Sequence, residues 1–258
     1  AMSGLRHFSK MPGCSRTPVR LRCSLWMLVP MTSQTENYGT VFCLWRTAAG
    51  TDWTDYVAHD FVRQLQDGSL KRANFMHYLI QDYIFLMHFS RAWALAVTKS
   101  ETIEEMQLCA ATVNALICDE IKLHIDICAK AGIDQATLCS ASEATANLAY
   151  TRYVLDTGHS GDMVDLLATL APCVMGYGEI GLRLCQSDHA AHYADWINTY
   201  GGTDYQGVCI AVGQLIDTAC HRRLGEDPAA SPRWPLLQQR FDMATRLETG
   251  FWQMGLDG

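Results

Sequence analysis

Between residues 38 and 226 the chain contains a single proline, Pro172, and no run in that span alternates apolar and polar residues with period two. Proline interrupts helices, and alternation is what a half-buried strand requires, so lacking both leaves helices as the fitting element. The apolar periodicity predicts helices near 38–48, 52–66, 71–98, 102–131, 135–157, 160–187, 190–199, 204–223 and 232–254. Asp67-Gly68 and Ala131-Gly132 read as helix ends, Gly158 and Gly161 as brackets around a turn, and Ser231-Pro232 as a cap followed by the first helical residue. No repeat or low-complexity linker divides this region. The expected fold class is therefore all-α, a multi-helix bundle forming a single domain over residues 37–258.

Charge separates the first residues from the rest. Residues 1–35 carry Arg6, Lys10, Arg16, Arg20 and Arg22 and no acid, leaving 15 basic against 27 acidic residues elsewhere, near −12. An acidic body argues against a nucleic-acid partner. The basic, Ser- and Cys-containing start has the composition of an organelle transit peptide. The favoured expectation is instead a poorly structured extension over residues 1–36, with Met31 resembling a second start and Ala1 a remnant of tag removal. Cytoplasmic location is expected, with organelle targeting by that stretch still open. No stretch of 18 or more uncharged apolar residues occurs, so no membrane partner is expected. Eleven cysteines, an odd number with no CxxC pair, suit buried free thiols in a reducing compartment better than disulfides or a structural zinc site.

Several polar groups interrupt apolar helix faces. Cys173 and Tyr177 lie one helical turn apart in Pro172-Cys173-Val174-Met175-Gly176-Tyr177-Gly178-Glu179-Ile180-Gly181, so both can face one pocket. The same pattern also suits a helix packed tightly on a neighbour. Asp82 sits in the stripe Phe75, Tyr78, Leu79, Phe85, Leu86 and Phe89, and Glu248 in the stripe Phe241, Ala244, Thr245, Phe251 and Trp252. Taken alone, each acid reads more readily as a hydrogen-bonded core group than as a catalyst. Two embedded acids together with a pocket thiol suggest acid–base chemistry, because burial and neighbours tune such groups. Glu120 and His124 form an i,i+4 pair that fits two metal ligands or, preferably, an internal polar bridge between helices. Tyr150 and Tyr200 are aromatics beside small or polar residues, and the glycines after Tyr200 leave its ring room to face a cavity. No P-loop, dinucleotide-binding glycine pattern or Ser-His-Asp set is visible.

These pieces, in order, resemble the TenA family of thiaminase II enzymes. The resemblance spans roughly residues 38–254 and rests on His59-Asp60-Phe61, Asp67-Gly68-Ser69-Leu70, Phe75-x-x-Tyr78-x-x-Gln81-Asp82, Phe89-x-Arg91 and Glu120-x-x-x-His124. It continues through the Pro172–Gly181 block, Thr199-Tyr200-Gly201-Gly202 and Glu248-x-x-Phe251-Trp252. It implies a haem-oxygenase-like helical fold, assembly as a homotetramer, and hydrolysis of 4-amino-5-aminomethyl-2-methylpyrimidine, and of thiamin, to the hydroxymethyl pyrimidine in thiamin salvage. Carried over residue by residue, Cys173 matches the nucleophile and Glu248 the acid/base at the leaving group. Asp82 matches the acid on the ring nitrogen and amino group, and Tyr177 the hydroxyl beside the thiol. Phe85, Tyr150, Tyr200 and Phe251 match pocket aromatics; Phe85 stands where some members have tyrosine. The chain is of the cysteine type, and the chemistry implied needs neither a cofactor nor a metal. Two competing expectations are a metal-dependent oxidase of the same fold using Glu120 and His124, and a non-catalytic pyrimidine-binding or regulatory protein.

Overall fold

The computed structural model describes residues 38–258, and among these there is no β-strand. The helices are α1 (Thr40–Ala49), α2 (Thr51–Val57), α3 (Asp60–Asp67), α4 (Arg72–Lys99), α5 (Ile103–Ala115) and α6 (Ile121–Lys130). They continue with α7 (Gln135–Ser140), α8 (Thr145–Ser160), α9 (Met163–Cys185), α10 (Ala194–Gly201), α11 (Thr203–Leu224) and α12 (Trp234–Asp257). A π-helical turn, Leu116–Glu120, joins α5 to α6. The expected extension over residues 1–36, with Cys14 and Cys23, lies outside the described residues.

The fold class follows the periodicity, and the departures from the expected boundaries have local causes. The helix expected over 52–66 breaks at Ala58, where His59 caps α3 by accepting from the Phe61 amide at 3.2 Å. The segment 135–157 divides between Ser140 and Thr145. Gly158 does not bracket a turn: it lies buried inside α8, where a Cβ would press on Leu95 and Leu166. Ser231-Pro232 precedes α12 rather than starting it. Ser231 Oγ accepts from the Arg233 amide at 3.3 Å, and the helix begins at Trp234. Gly68 and Gly132 do end their helices, with φ of 80° and 85°. Cys109, Cys128, Cys209 and Cys220 are buried free thiols as expected, whereas Cys118 and Cys139 are exposed.

Helix α9 forms the centre. From Met163 to Leu182 every residue is buried, so its apolar length serves the core even though length and composition alone would let it cross a membrane. Its N-terminus is closed by a capping box in which Asp162 accepts from Asp165 N and Asp165 accepts from Asp162 N. Helices α8, α10, α11 and α12 pack around it, and α4 lies across the same core. The glycines after Cys173 serve these approaches. Gly176 faces the Tyr56 ring of α2, Gly178 the Cys209 sulfur of α11, and Gly181 the backbone at Tyr200 of α10. A Cβ at Gly181 would overlap the Tyr200 carbonyl carbon and the Gly201 nitrogen, atoms that cannot swing aside. Gly181→Ala is expected to destabilise the protein by about 1–3 kcal/mol in urea unfolding, the range of an overpacked core. An unchanged midpoint would show that α10 can move freely from α9.

Candidate active site

Five elements converge beside the middle of α9. One turn of α9 presents Cys173 and Tyr177 side by side, as the four-residue spacing requires. Helix α4 presents Tyr78, Asp82 and Phe85, α12 presents Glu248, α10 presents Trp196 and Tyr200, and the π turn with α6 presents Glu120 and His124. A π turn holds one residue more than an α turn and so re-aims the side chains beyond it. Here it places Glu120 against Tyr200, whose hydroxyl donates to Oε1 at 3.0 Å.

Two hydrogen-bonded groups lie around the thiol. In the first, Asp82 Oδ2 accepts from the Tyr78 hydroxyl at 3.2 Å and faces His124 Nε2 at 2.6 Å. The Tyr78 oxygen accepts from Trp196 Nε1 at 3.3 Å and meets the Tyr177 hydroxyl at 3.4 Å. The Tyr177 hydroxyl is thus engaged with Tyr78, while the acid that interacts with the Cys173 thiol is Glu248. In the second group, Tyr150 on α8 donates to Glu248 Oε1 at 2.8 Å. Phe251 packs behind both, its ring centroid 6.0 Å from Tyr78 and 5.5 Å from Phe85.

Burial sets the protonation states. Glu248 is 1 % exposed, and desolvation raises its carboxyl to about 8, with Asp82 adding to the rise and hydrogen bonds from Tyr150 and Cys173 opposing it. The Cys173 thiol is pushed well up, first by burial and then by Glu248, Glu120 and Asp82, so it is protonated at rest. Burial also raises Glu120, opposed by His124 and Tyr200. Burial would lower His124, but Asp82 and Glu120 together outweigh it, and the imidazole is raised to about 9. Transfer of the proton from a thiol raised well above its ordinary value to a carboxylate of about 8 is uphill, so ionisation of Cys173 has to be coupled to bond formation at its sulfur.

The cavity that these groups face has a volume of about 770 Å³. Asp82, Phe85, Cys173, Tyr177 and Tyr200 line it, with Glu120 from the π turn and Tyr205 from α11. Beyond Cys173 the walls become apolar, with Phe89, Trp93, Leu108, Leu116 and Val208. Glu248, Tyr150 and Phe251 stand in the layer behind that wall. Two participants are missing from the expected site residues: Tyr78 and Trp196. Tyr78 had a signal, since it precedes Asp82 by one turn; Trp196 had none. Glu120 and His124 bond to Tyr200 and Asp82 on other helices, the internal polar bridge preferred above over a metal pair. Among the described residues, no group of three or more His, Cys, Asp or Glu side chains is placed to hold a metal ion.

Comparison with known proteins agrees with this architecture. A crystal structure of a protein named as a TenA family transcription regulator from Silicibacter sp. TM1040 is 57 % identical, superposes with a TM-score of 0.86, and covers 87 % of this chain and 100 % of its own. An aminopyrimidine aminohydrolase from Halalkalibacterium halodurans is 30 % identical over 206 residues, 78 % of this chain and 89 % of that protein. A Shewanella denitrificans domain with a heme oxygenase-like fold is 15 % identical, with a TM-score of 0.59 over 80 % of this chain and 90 % of its own; it shows likeness of fold alone. The model of the TENA/THI-4/PQQC family matches residues 48–258, most of the chain, which therefore belongs to that family.

Proposed function

We propose that this protein is a thiamin-metabolism hydrolase that replaces the amine of a 5-aminomethyl pyrimidine, or the thiazolium of thiamin, with hydroxide. The observation that carries this reading is the buried Cys173–Glu248 pair, with Cys173 and Asp82 lining one cavity and Glu248 behind its wall. The name of the Halalkalibacterium relative supports the substrate class.

In this mechanism Glu248 takes the thiol proton as the Cys173 sulfur bonds to the ring carbon adjacent to the substituted one. The displaced ring electrons move onto a ring nitrogen held by Asp82. Their return expels the amine, protonated by Glu248, and leaves an exocyclic methylene. Water adds to that methylene and gives a proton to Glu248. The sulfur then leaves, the ring regains aromaticity, and Glu248 returns the proton to the thiolate. Covalent addition divides one difficult displacement into easier steps, and one carboxyl serves each proton transfer. The aromatic walls at Phe85, Tyr177 and Tyr200 suit a flat heterocycle. The steps use no metal or cofactor. As parts of the same proposal, the protein acts in the cytoplasm as a homotetramer. Exposed apolar side chains outside the cavity at Ile117 and Ile210 support self-association, which sedimentation of the intact chain tests.

The deciding experiment supplies the aminomethyl pyrimidine and thiamin side by side to the intact chain and measures ammonia and hydroxymethyl product. Tight binding without turnover would favour the regulatory reading, consistent with the name of the Silicibacter structure. A pH profile tests the assignment of Glu248. With Glu248 raised to about 8, kcat/KM is expected to climb with pH until about 8, because only the ionised carboxylate can take the thiol proton. Tyr150 opposes that rise by bonding the anion, so Tyr150→Phe should move the limb to higher pH, by about one unit. A limb that stays in place would remove Glu248 from the proton transfers.

A further inference from the structure

His124 is 2 % exposed, and both its ring nitrogens face acceptors. Nδ1 lies 2.9 Å from the backbone carbonyl oxygen of Glu120, which can only accept. Nε2 lies 2.6 Å from Asp82 Oδ2. With Asp82 ionised, both nitrogens must carry hydrogen, so the ring is an imidazolium in the core of the site. The Tyr78 hydroxyl bonds the same carboxylate oxygen, leaving Oδ1 to a ligand. The charged groups facing the ring are Asp82 from α4 and Glu120 from the π turn, and the hydroxyls bonded to these acids are Tyr78 and Tyr200.

We propose that His124 is a positioning residue that supplies a fixed positive charge behind Asp82, a role that rests on the hydrolase reading above. A ring that accepts a sulfur nucleophile becomes electron-rich. When the sulfur–carbon bond forms, one ring π pair moves onto a ring nitrogen, and that nitrogen sits beside the Asp82 carboxylate. An uncompensated carboxylate would repel the charge. The imidazolium offsets it, and Oδ1 still accepts from the amino group or a protonated ring nitrogen. No proton leaves His124 in the step: the thiol proton is on Glu248, and the ring pair later returns to expel the amine. Charge compensation of this kind acts where charge develops and affects the chemical step more than ground-state binding.

The placement makes this role separable from simple packing. His124→Gln keeps an amide donor for Asp82 but carries no charge. It is expected to lower kcat for the aminomethyl pyrimidine by about 100-fold, with KM within about threefold. Wild-type kcat should fall above pH 9, where the imidazolium loses its proton, and the variant should lack that limb. Nitrogen-15 spectra of the intact wild-type protein provide a second measurement that does not depend on the variant folding: both His124 nitrogens should be protonated at pH 7. A neutral imidazole at pH 7, or a folded variant that retains wild-type kcat and its alkaline limb, would overturn the proposal. A wild-type chain that turns over neither substrate would instead refute the hydrolase reading, and the role of His124 in turnover would fall with it.

Discussion

Cys173→Ser is expected to lose about 10³-fold or more in kcat while binding the hydroxymethyl pyrimidine product within a few-fold of wild type. The substitution removes little volume, so the cavity and the hydrogen bonds of Asp82 and Glu248 remain. The loss lies in the nucleophile. A serine hydroxyl is far more weakly acidic than a thiol, and a carboxylate raised only to about 8 cannot hold its proton. The thiol itself is raised by burial and three nearby acids, so it needs Glu248 to ionise it within the complex. Alkylation of the resting thiol should consequently be slow at neutral pH and slower still with pyrimidine bound. Stopped-flow or single-turnover kinetics would check the first expectation, and a serine variant with near-normal turnover would exclude covalent addition by residue 173.

Asp82→Asn is expected to harm both catalysis and stability. Its loss removes the acid proposed to hold the pyrimidine and leaves the buried His124 without the carboxylate it bonds, with Glu120 as the remaining acid nearby. Breaking one side of a buried ion pair costs about 3–5 kcal/mol. The sign of the pH dependence is set by the shift on His124, raised from 6.5 to about 9 in the folded protein. A histidine raised on folding contributes stability that is fully present below its unfolded value and lost as pH rises through its folded one. The wild type should therefore lose this contribution between about pH 6.5 and 9. In the asparagine variant burial disfavours the charge on His124 and only Glu120 opposes it, so the difference between the two proteins should be largest below pH 6.5 and narrow towards pH 9. Urea unfolding at pH 6 and pH 9 measures this directly. A gap of equal size at both pH values would mean that the pair contributes no charge-dependent stability.

Much of the site is legible in one dimension because helices repeat. Asp82 and Glu248 each interrupt an apolar stripe, and Cys173 and Tyr177 share a face by their spacing. What those residues touch is not legible. The i,i+4 pair Glu120 and His124 reads as a bridge to other helices, but Asp82 and His124 are 42 residues apart, and nothing local names Asp82 as the partner. The fold shows the same division. Periodicity locates the helices, but the break at Ala58 depends on the His59 cap, and the late start of α12 depends on a short turn at Pro228–Ala230. The glycines after Cys173 are visible as close approaches, yet only the packed helices show that Tyr56, Cys209 and Tyr200 fill them.

The π turn at Leu116–Glu120 carries a consequence for how this pocket can diversify. Each residue added to a helix rotates everything after it by about 100°. Shortening this turn by one residue would restore an ordinary helix and swing Glu120 away from Tyr200, while Asp82, Cys173 and Glu248, all on other helices, stayed where they are. Gain or loss of a single codon could thus exchange the residue facing the cavity at this position without altering the nucleophile or its acid. His124, on α6 just beyond the turn, would move with Glu120, so an insertion or deletion here changes the cavity wall and the charge behind Asp82 together while Cys173 and Glu248 are inherited intact.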